Sequence, residues 1–282
     1  MRCVLVSLAG FFLIATHVVF GQSLAEFDKR SIVRIETPNG LGTGFVLSDT
    51  SLGYFLVTNK HVLQSRKTQQ YFDSVFVRKN ELSMQGKVIA TEQKGTLYLS
   101  FEDRTLYFEH QDPNVDLVFV SLGSFPVGDT SVLNPTNYSQ WLFAFTMDMV
   151  ADRQDMKRLS IRDGTPVQII GFSFMASQRP QFHISRFGHV ALFSNERLTF
   201  RVTRPRDDSV YTGPISAEWL VLDITSRPGD SGGPVLALMP GTHHAWLIGL
   251  VQAGSELNEF CLAHPSYYIH DLVDSVRRTV GK

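Results

Sequence analysis

Cysteine is scarce in this sequence, which has only Cys3 and Cys261 among its 282 residues. Cys3 lies in an N-terminal leader described below, so the mature chain would hold one thiol and no internal disulfide. The fold must then depend on its apolar core, and not on the cross-links that many small secreted domains use. The residues around Cys261 do not resemble a cysteine-nucleophile motif, so we expect it to be a small buried apolar residue.

An excess of charge of either sign is also lacking. The chain has 26 Lys and Arg against 27 Asp and Glu, a formal net charge of -1. Proteins that bind nucleic acids usually carry a basic stripe that displaces counterions from phosphates, so no nucleic-acid partner is expected. No cluster has the spacing of metal ligands, and neither a metal nor any other cofactor is predicted. The neighbouring His243 and His244 face opposite ways on a strand and are expected at the surface.

Long apolar runs are confined to the N-terminus. Arg2 precedes a nearly apolar stretch at residues 4–20, and Gly21 is a small residue before a predicted cut at Gln22. This pattern is typical of a secretory signal peptide over residues 1–21, and it predicts a secreted or periplasmic protein with no membrane contact after signal removal. The alternative is an uncut membrane anchor, but a bilayer span needs about 20 apolar residues.

The remaining chain is dominated by short apolar segments of branched and aromatic residues, bounded by Gly, Asn, Asp, Ser or Pro. They recur through residues 31–120 and 167–251. Such segments favour strands, and their regular spacing predicts an all-β barrel or sandwich. Residues 124–154 have no clean period and are expected to link two β halves through an elaborated loop. Helical spacing of the apolar residues predicts a C-terminal helix over residues 267–282.

The strongest chemical motif is residues 229–235, GDSGGPV. Serine is a weak nucleophile unless a base removes its proton and a sharp turn presents its side chain. Flanking glycines permit such a turn, and the amides of Gly229 and Ser231 would then point together as an oxyanion hole. An ordinary glycine-rich hairpin is the alternative, but it does not require all seven residues.

Two further motifs supply a base and an acid. An apolar strand ends in a polar turn at residues 56–63, LVTNKHVL, and presents His61, the residue type best suited to a general base near neutral pH. Residues 112–119, DPNVDLVF, place Asp116 at the start of an apolar strand, where it would accept a hydrogen bond from the imidazole. Asp112 is the rival, and Asp116 is preferred because an apolar run follows it directly.

The order His61, Asp116, Ser231 is one known order for a catalytic triad. With residues 42–45 (GTGF) and 58–62 (TNKHV), these motifs resemble the chymotrypsin-like serine proteases, most closely the high-temperature-requirement type. The resemblance covers about residues 30–282. It implies two packed six-stranded antiparallel β-barrels followed by the C-terminal helix. The predicted N-terminal barrel covers residues 22–125 and holds His61 and Asp116, and the predicted C-terminal barrel covers residues 126–266 and holds Ser231. The helix over residues 267–282 follows. The peptide-binding domain common in that type is not expected.

The same resemblance assigns the substrate-binding residues. Residues 248–254 are similar to the strand that pairs with substrate backbone in this family, so Gln252, Ala253 and Gly254 are predicted to contact substrate. Gln252 and Ala253 stand where Ser and Trp are usual in the digestive enzymes. Thr225 stands where trypsin-type enzymes carry an aspartate, which removes the basis for a preference for Lys or Arg. Cys261 is predicted to line the specificity pocket.

The partner of Asp230 is left open by the sequence. In digestive zymogens the corresponding aspartate pairs with an amino terminus freed by cleavage. Residues 29–32 (KRSI) are a candidate cleavage site, although residues 32–35 fit a barrel strand better. An internal arginine is the other candidate partner.

The leading hypothesis is therefore a secreted serine endopeptidase that hydrolyses protein or peptide substrates through an acyl-enzyme. The alternative is a catalytically silent or occluded protease-fold binding protein, with residues 124–154 covering the cleft or binding a partner. An esterase is disfavoured, because the α/β-hydrolase elbow has Gly-x-Ser-x-Gly between a strand and a helix. The natural substrate and the oligomeric state are not predicted.

Overall fold

The computed structural model describes residues 31–82, 88–101, 104–123, 143–173, 183–206, 209–239, 245–254 and 260–280. The predicted signal peptide and residues 124–142 of the predicted loop lie outside these ranges. In the part of the chain described, no helix is long and apolar enough to cross a membrane.

Most of the described elements are strands, which range from two to eleven residues in length. The strands are β1 (Ile32–Thr37), β2 (Gly40–Asp49), β3 (Gly53–Thr58), β4 (Ser74–Leu82), β5 (Val88–Tyr98), β6 (Ser100–Phe101), β7 (Arg104–Thr105), β8 (Tyr107–Glu109), β9 (Val118–Gly123), β10 (Phe145–Thr146), β11 (Pro166–Gly171), β12 (Ile184–Phe193), β13 (Leu198–Arg206), β14 (Ser209–Ala217), β15 (Leu220–Asp223), β16 (Pro234–Ala237), β17 (Trp246–Gly254) and β18 (Cys261–Pro265). The α-helices are α1 (Lys60–Leu63), α2 (Arg153–Arg158) and α3 (Tyr267–Val280), and Met147–Met149 form a 3₁₀ turn.

The N-terminal half is an eight-stranded sheet, with strand order β5-β4-β1-β2-β3-β9-β8 and with β10 parallel to β2. Its strands are rich in Val, Ile, Leu and Phe, and most of their apolar side chains are buried. β3 and β9 are antiparallel neighbours, with Thr58 opposite Val118. The end of β3 and the start of β9 therefore lie at the same edge of the sheet, and this places His61 and Asp116 side by side.

The C-terminal half is a closed barrel with strand order β11-β12-β15-β18-β17-β16. All of its neighbouring strands are antiparallel, and Val235 on β16 lies opposite Gly249 on β17. β16 begins at Pro234, within the serine motif, so the barrel wall fixes one end of that loop. The predicted all-β, chymotrypsin-like fold with a C-terminal helix is confirmed. Its second half is the closed six-stranded barrel, whereas its first half is a curled sheet of eight strands.

A two-stranded hairpin of β13 and β14 extends from the barrel between β12 and β15. Its base is fixed by Trp219, whose indole Nε1 donates to Leu198 O at 3.1 Å. The ring of Phe200 meets the same indole edge-on, with centroids 6.0 Å apart. The hairpin is therefore anchored beside the start of β15.

Helix α3 ties the two halves together. Its buried residues recur at helical spacing, in agreement with the sequence pattern: Tyr267, Tyr268, Ile269, Leu272, Val273 and Val276. Arg277 Nη2 donates to Asp49 Oδ2 on β2 at 2.7 Å, and His270 Nε2 lies 2.9 Å from Val150 O. The helix that follows the barrel thus also contacts the first sheet.

Candidate active site

His61 lies on the single turn α1, which the chain enters directly from β3. Its Nδ1 is 2.6 Å from Asp116 Oδ2, and its backbone N–H donates to Asp116 Oδ1 at 3.2 Å. A carboxylate accepts hydrogen bonds, so the short contact places the proton of neutral His61 on Nδ1 and leaves Nε2 as a proton acceptor. The carboxylate is almost wholly buried, whereas 33% of the imidazole is exposed. Asp116 can therefore orient a base that remains accessible.

The backbone of Asp116 is also held at both of its polar groups. Asn59 Nδ2 donates to Asp116 O at 2.6 Å, and Asp116 N–H donates to His264 Nε2 at 3.0 Å. Asn59 directly follows β3 of the first sheet, whereas His264 lies on β18 in the barrel. Neither residue was singled out in the sequence as a partner of Asp116.

Asp112, the rival for the triad, has a different partner. It forms an ion pair with Arg197 at 2.7 Å and accepts from the Asn114 N–H at 2.9 Å. Burial raises its pKa, but the hydrogen bonds and charge of Arg197, together with Asn114, outweigh burial and leave the pKa below its usual value. The structure places Asp116, and not Asp112, against His61.

The serine loop is shaped by two glycines with positive φ, Gly229 at +99° and Gly232 at +86°. At Gly232 a Cβ would lie 2.0 Å from Thr43 O, so the close approach of the first sheet excludes any side chain there. Ser231 Oγ donates to Gln252 O at 3.2 Å. Within the described residues no hydrogen bond joins Ser231 and His61. Such contacts often form only when substrate binds.

The amides of this loop fall into two groups. Asp230 N–H donates to Arg227 O at 3.0 Å and Gly232 N–H donates to Val251 O at 2.8 Å. The N–H groups of Gly229 and Ser231 have no acceptor among the residues that the structure describes. Buried amides are normally paired, so two unpaired amides in one loop are suited to an oxygen that arrives from outside.

Thr43 holds the serine loop from the first sheet. Its N–H donates to Ser231 O at 2.8 Å, and its hydroxyl donates to Gly229 O at 2.6 Å. The same hydroxyl accepts from Phe172 N–H at 2.9 Å, just beyond the end of β11. One fully buried side chain therefore joins both halves of the molecule to the loop.

Asp230 pairs with an internal arginine. Arg186 Nη1 on β12 lies 2.5 Å from Asp230 Oδ2, and both side chains are largely buried. Ser173 Oγ donates to Asp230 Oδ1 at 2.6 Å, Arg227 N–H donates to Oδ2 at 2.7 Å, and Arg186 also donates to Ser173 Oγ. Ile32, by contrast, is buried in β1. The loop carboxylate is thus neutralised from within the barrel.

Residues 42–239 match the sequence model of the trypsin-like peptidase domain. This chain belongs to the trypsin-like peptidase family. The matched segment, more than half of the chain, contains His61, Asp116 and Ser231.

The solved structures that this chain resembles are distant from it in sequence. A thermostable serine protease, AL20 from an extremophilic microorganism, is 14% identical with a TM-score of 0.50, covering 88% of this chain and 98% of that chain. The Rv3671c protease in its inactive form is 15% identical with a TM-score of 0.48, covering 92% and 94%. A mutant of that protease, from M. tuberculosis H37Rv, is 16% identical with a TM-score of 0.46, covering 89% of each chain. No curated protein sequence matches this one.

In this trypsin-like peptidase one predicted substrate-binding residue, Gln252, contacts the serine loop through its backbone carbonyl. Val251 pairs with Ala263 and Ala253 with Leu262, so the ladder between β17 and β18 shifts at Gln252. The Gln252 side chain is buried, and neither of its amide atoms has a hydrogen-bond partner in the described part of the chain. The predicted contacts of Ala253 and Gly254 with substrate stay predictions.

The predicted specificity pocket has two described residues of contrasting exposure. Thr225 is exposed, whereas the Cys261 side chain is completely buried. Burial raises the pKa of the Cys261 thiol to about 12, and the nearby charge of Asp230 adds to that shift. Cys261 is therefore an uncharged thiol at neutral pH. Across the described ranges, no group of three or more His, Cys, Asp or Glu side chains is arranged to hold a metal.

Proposed function

We propose that this trypsin-like peptidase is a secreted serine endopeptidase in which Ser231, His61 and Asp116 form the catalytic triad. One observation carries the proposal. The 2.6 Å contact between His61 and Asp116 follows the end of β3, where Thr58 lies against Gly232 of a loop that holds a serine and two amides without acceptors among the described residues. A base with a buried carboxylate behind it, a serine and an oxyanion site are the parts that acyl transfer requires.

The first half of the reaction forms an acyl-enzyme. Ser231 Oγ rotates from Gln252 O towards His61 Nε2 and attacks the peptide carbonyl carbon, while His61 takes the hydroxyl proton. Asp116 stabilises the resulting imidazolium. The carbonyl oxygen becomes an oxyanion and accepts hydrogen bonds from the amides of Gly229 and Ser231. His61 then gives its proton to the leaving amine as the C–N bond breaks.

The second half releases the acyl group. A water molecule takes the place of the departed amine, gives one proton to His61 and attacks the ester carbon. The oxyanion forms again at the same two amides. The C–O bond to Ser231 then breaks, and Oγ takes the proton back from His61 to restore the enzyme.

No activation cleavage is part of this proposal. In the fold, Arg186 supplies the charge that neutralises Asp230, so the loop does not need a freed amino terminus. Residues 29–32 are therefore left out of the mechanism. Secretion is proposed from residues 1–21 alone, and it predicts an exported protein that begins at Gln22. N-terminal sequencing of protein from cell fractions checks it, and a retained leader would contradict it.

The function is tested by incubating the mature protein with a mixed peptide library and identifying new termini by mass spectrometry. Wild-type protein should generate internal cleavage products, and Ser231→Ala protein should generate none above background. Cleavage that persists in the purified Ser231→Ala variant would refute the proposal.

A second candidate is a binding protein on the protease fold. It is favoured by one observation: Ser231 Oγ donates its hydrogen bond to Gln252 O and not to His61. If the wild-type protein is well folded and produces no new termini from the library, this candidate replaces the first.

A further inference from the structure

Asp116 is contacted by both halves of the molecule, and the second contact comes from another histidine. His264 lies on β18 in the barrel, 148 residues further along the chain, and its Nε2 accepts the Asp116 N–H at 3.0 Å. The carboxylate of the same residue meets His61 in the first sheet. Asp116 is thus one point at which the barrel is directly connected to the His61 side of the cleft.

The tautomer of His264 follows from this contact. A backbone N–H can only donate, so Nε2 must carry a free lone pair and the ring proton must sit on Nδ1. An imidazolium would place an N–H against the Asp116 N–H and remove the hydrogen bond. His264 is therefore a neutral acceptor in the folded protein.

The ring of His264 has little freedom to turn. It is about 1% exposed and stacks on the Trp219 indole, with centroids 4.6 Å apart and planes inclined by 19°. Tyr268 on α3 meets it edge-on at 5.8 Å and 80°. This burial keeps His264 away from substrate, so it is suited to holding another residue and not to a second base.

We propose that His264 is a positioning residue, which fixes the backbone of Asp116 from the barrel so that its carboxylate meets His61 Nδ1. Because of the hydrogen bond between Asp116 and His264, the position of Asp116 beside His61 depends on how the two halves pack against each other. Its effect on catalysis rests on the proposed function, whereas its effect on the His61–Asp116 contact does not.

The tautomer is tested first, in mature protein labelled with ¹⁵N-histidine. NMR spectra should show His264 with a protonated Nδ1 and an unprotonated Nε2 at neutral pH, and a spectrum of His264→Gln identifies its signals. A protonated Nε2 would overturn the proposal at once, whether or not the protein is a protease.

The role is tested with a pair of matched substitutions. His264→Gln retains an acceptor close to the position of Nε2, whereas His264→Phe retains a flat ring on Trp219 but leaves the Asp116 N–H unpaired. We expect His264→Phe to lower kcat by about tenfold to a hundredfold with little change in KM, because a buried donor left unpaired disturbs the residue that carries it. His264→Gln should retain most of kcat. His264→Leu, which is smaller, replaces the Phe variant if that variant does not fold.

The downfield proton resonance of His61 Nδ1–H gives a readout that does not require activity. It should persist in wild type and His264→Gln and should shift or broaden in the variant without an acceptor. An unchanged resonance and kcat with only a lower Tm would make His264 a packing residue and overturn the proposal. Equal loss in both variants would overturn it too, because ring stacking would then be the cause. A wild type with the resonance but without proteolysis would refute the proposed function alone.

Discussion

The base side of the cleft is assembled by side chains, whereas the serine side is assembled mainly by backbone groups. His61 and Asp116 come from adjacent strand ends of one sheet and meet through a 2.6 Å side-chain contact. The serine loop is held at Gly229 O and Ser231 O by Thr43. The backbone of the nucleophile is therefore fixed while its hydroxyl makes one contact of 3.2 Å, to Gln252 O.

This difference indicates which parts are ready before substrate arrives. A neutral hydrogen bond contributes only about 0.5–1.5 kcal/mol, so turning the Ser231 hydroxyl towards His61 costs little. Rebuilding the loop would break several buried bonds and an ion pair. We expect the oxyanion site and the His61–Asp116 pair to be preformed, and the last contact between them to be made by a side-chain rotation.

The largest effect is expected on the base side, where two aspartates are compared. Asp116→Asn should lower kcat by roughly 10⁴-fold, because an amide favours the wrong tautomer of His61. Asp112→Asn, whose parent carboxylate pairs with Arg197 at the surface, should remain within a few-fold of wild type. Steady-state hydrolysis of a peptide substrate measures both, and equal losses would mean that Asp112 has a part in the site.

The second effect is expected at the buried ion pair of the serine loop. Arg186→Met leaves Asp230 buried and unpaired, which should lower the free energy of unfolding by about 3–5 kcal/mol and abolish most activity. Arg158→Met removes an exposed pair with Asp155 and should cost at most about 0.5 kcal/mol. Urea unfolding compares the two. An Arg186 variant as stable and active as the control would show that the loop does not depend on this charge.

A smaller effect is expected from the Thr43 hydroxyl. Thr43→Val is nearly isosteric but leaves Gly229 O and Phe172 N–H unpaired, so kcat should fall by about tenfold to a hundredfold. Thr43→Ser keeps the hydroxyl and should recover most of that loss. A peptide boronate, which places an oxygen at the oxyanion site, should lose affinity in the Val variant alone. Unchanged boronate affinity in the Val variant would show that Thr43 does not shape the oxyanion site.

The smallest effect on activity is expected far from the loop, at Asp49. Burial raises the pKa of Asp49, but hydrogen bonds from Ser51 and Leu52 and the charge of Arg277 outweigh burial, so the pKa in the folded protein lies below 3.8. The charged form therefore adds stability above about pH 4 that is lost as the pH falls through the folded pKa. Asp49→Asn should lower Tm at pH 7, match wild type in strong acid, and leave kcat unchanged. A Tm difference that grows in acid would contradict this sign.

The sequence predicts contacts between side chains that lie at the ends of recognisable strands. The segments 56–63 and 112–119 each join an apolar run to a polar turn, and neighbouring strands then bring His61 and Asp116 together. An internal arginine was one candidate for Asp230, but only the register of β12 singles out Arg186. His264 is harder still, because nothing local in its strand indicates that its ring faces a residue of the other half.

The fold, too, could be predicted from the sequence only in part. The strands follow from the short apolar runs, the C-terminal helix follows from helical spacing, and the closed barrel follows from the resemblance to the chymotrypsin-like proteases. The number of strands in the first half does not, because β8 and β10 are only three and two residues long and depend on tertiary pairing. β10 also joins the first sheet although it follows the predicted boundary at residue 126.

The proposed mechanism depends on Ser231 being a nucleophile that His61 activates. Treating purified mature protein with a fluorophosphonate probe and mapping the labelled peptide tests it most directly. Labelling is expected at Ser231, and it should be lost in Ser231→Ala and strongly reduced in His61→Ala. Well-folded protein that stays unlabelled, or labelling that is unchanged in His61→Ala, would contradict it.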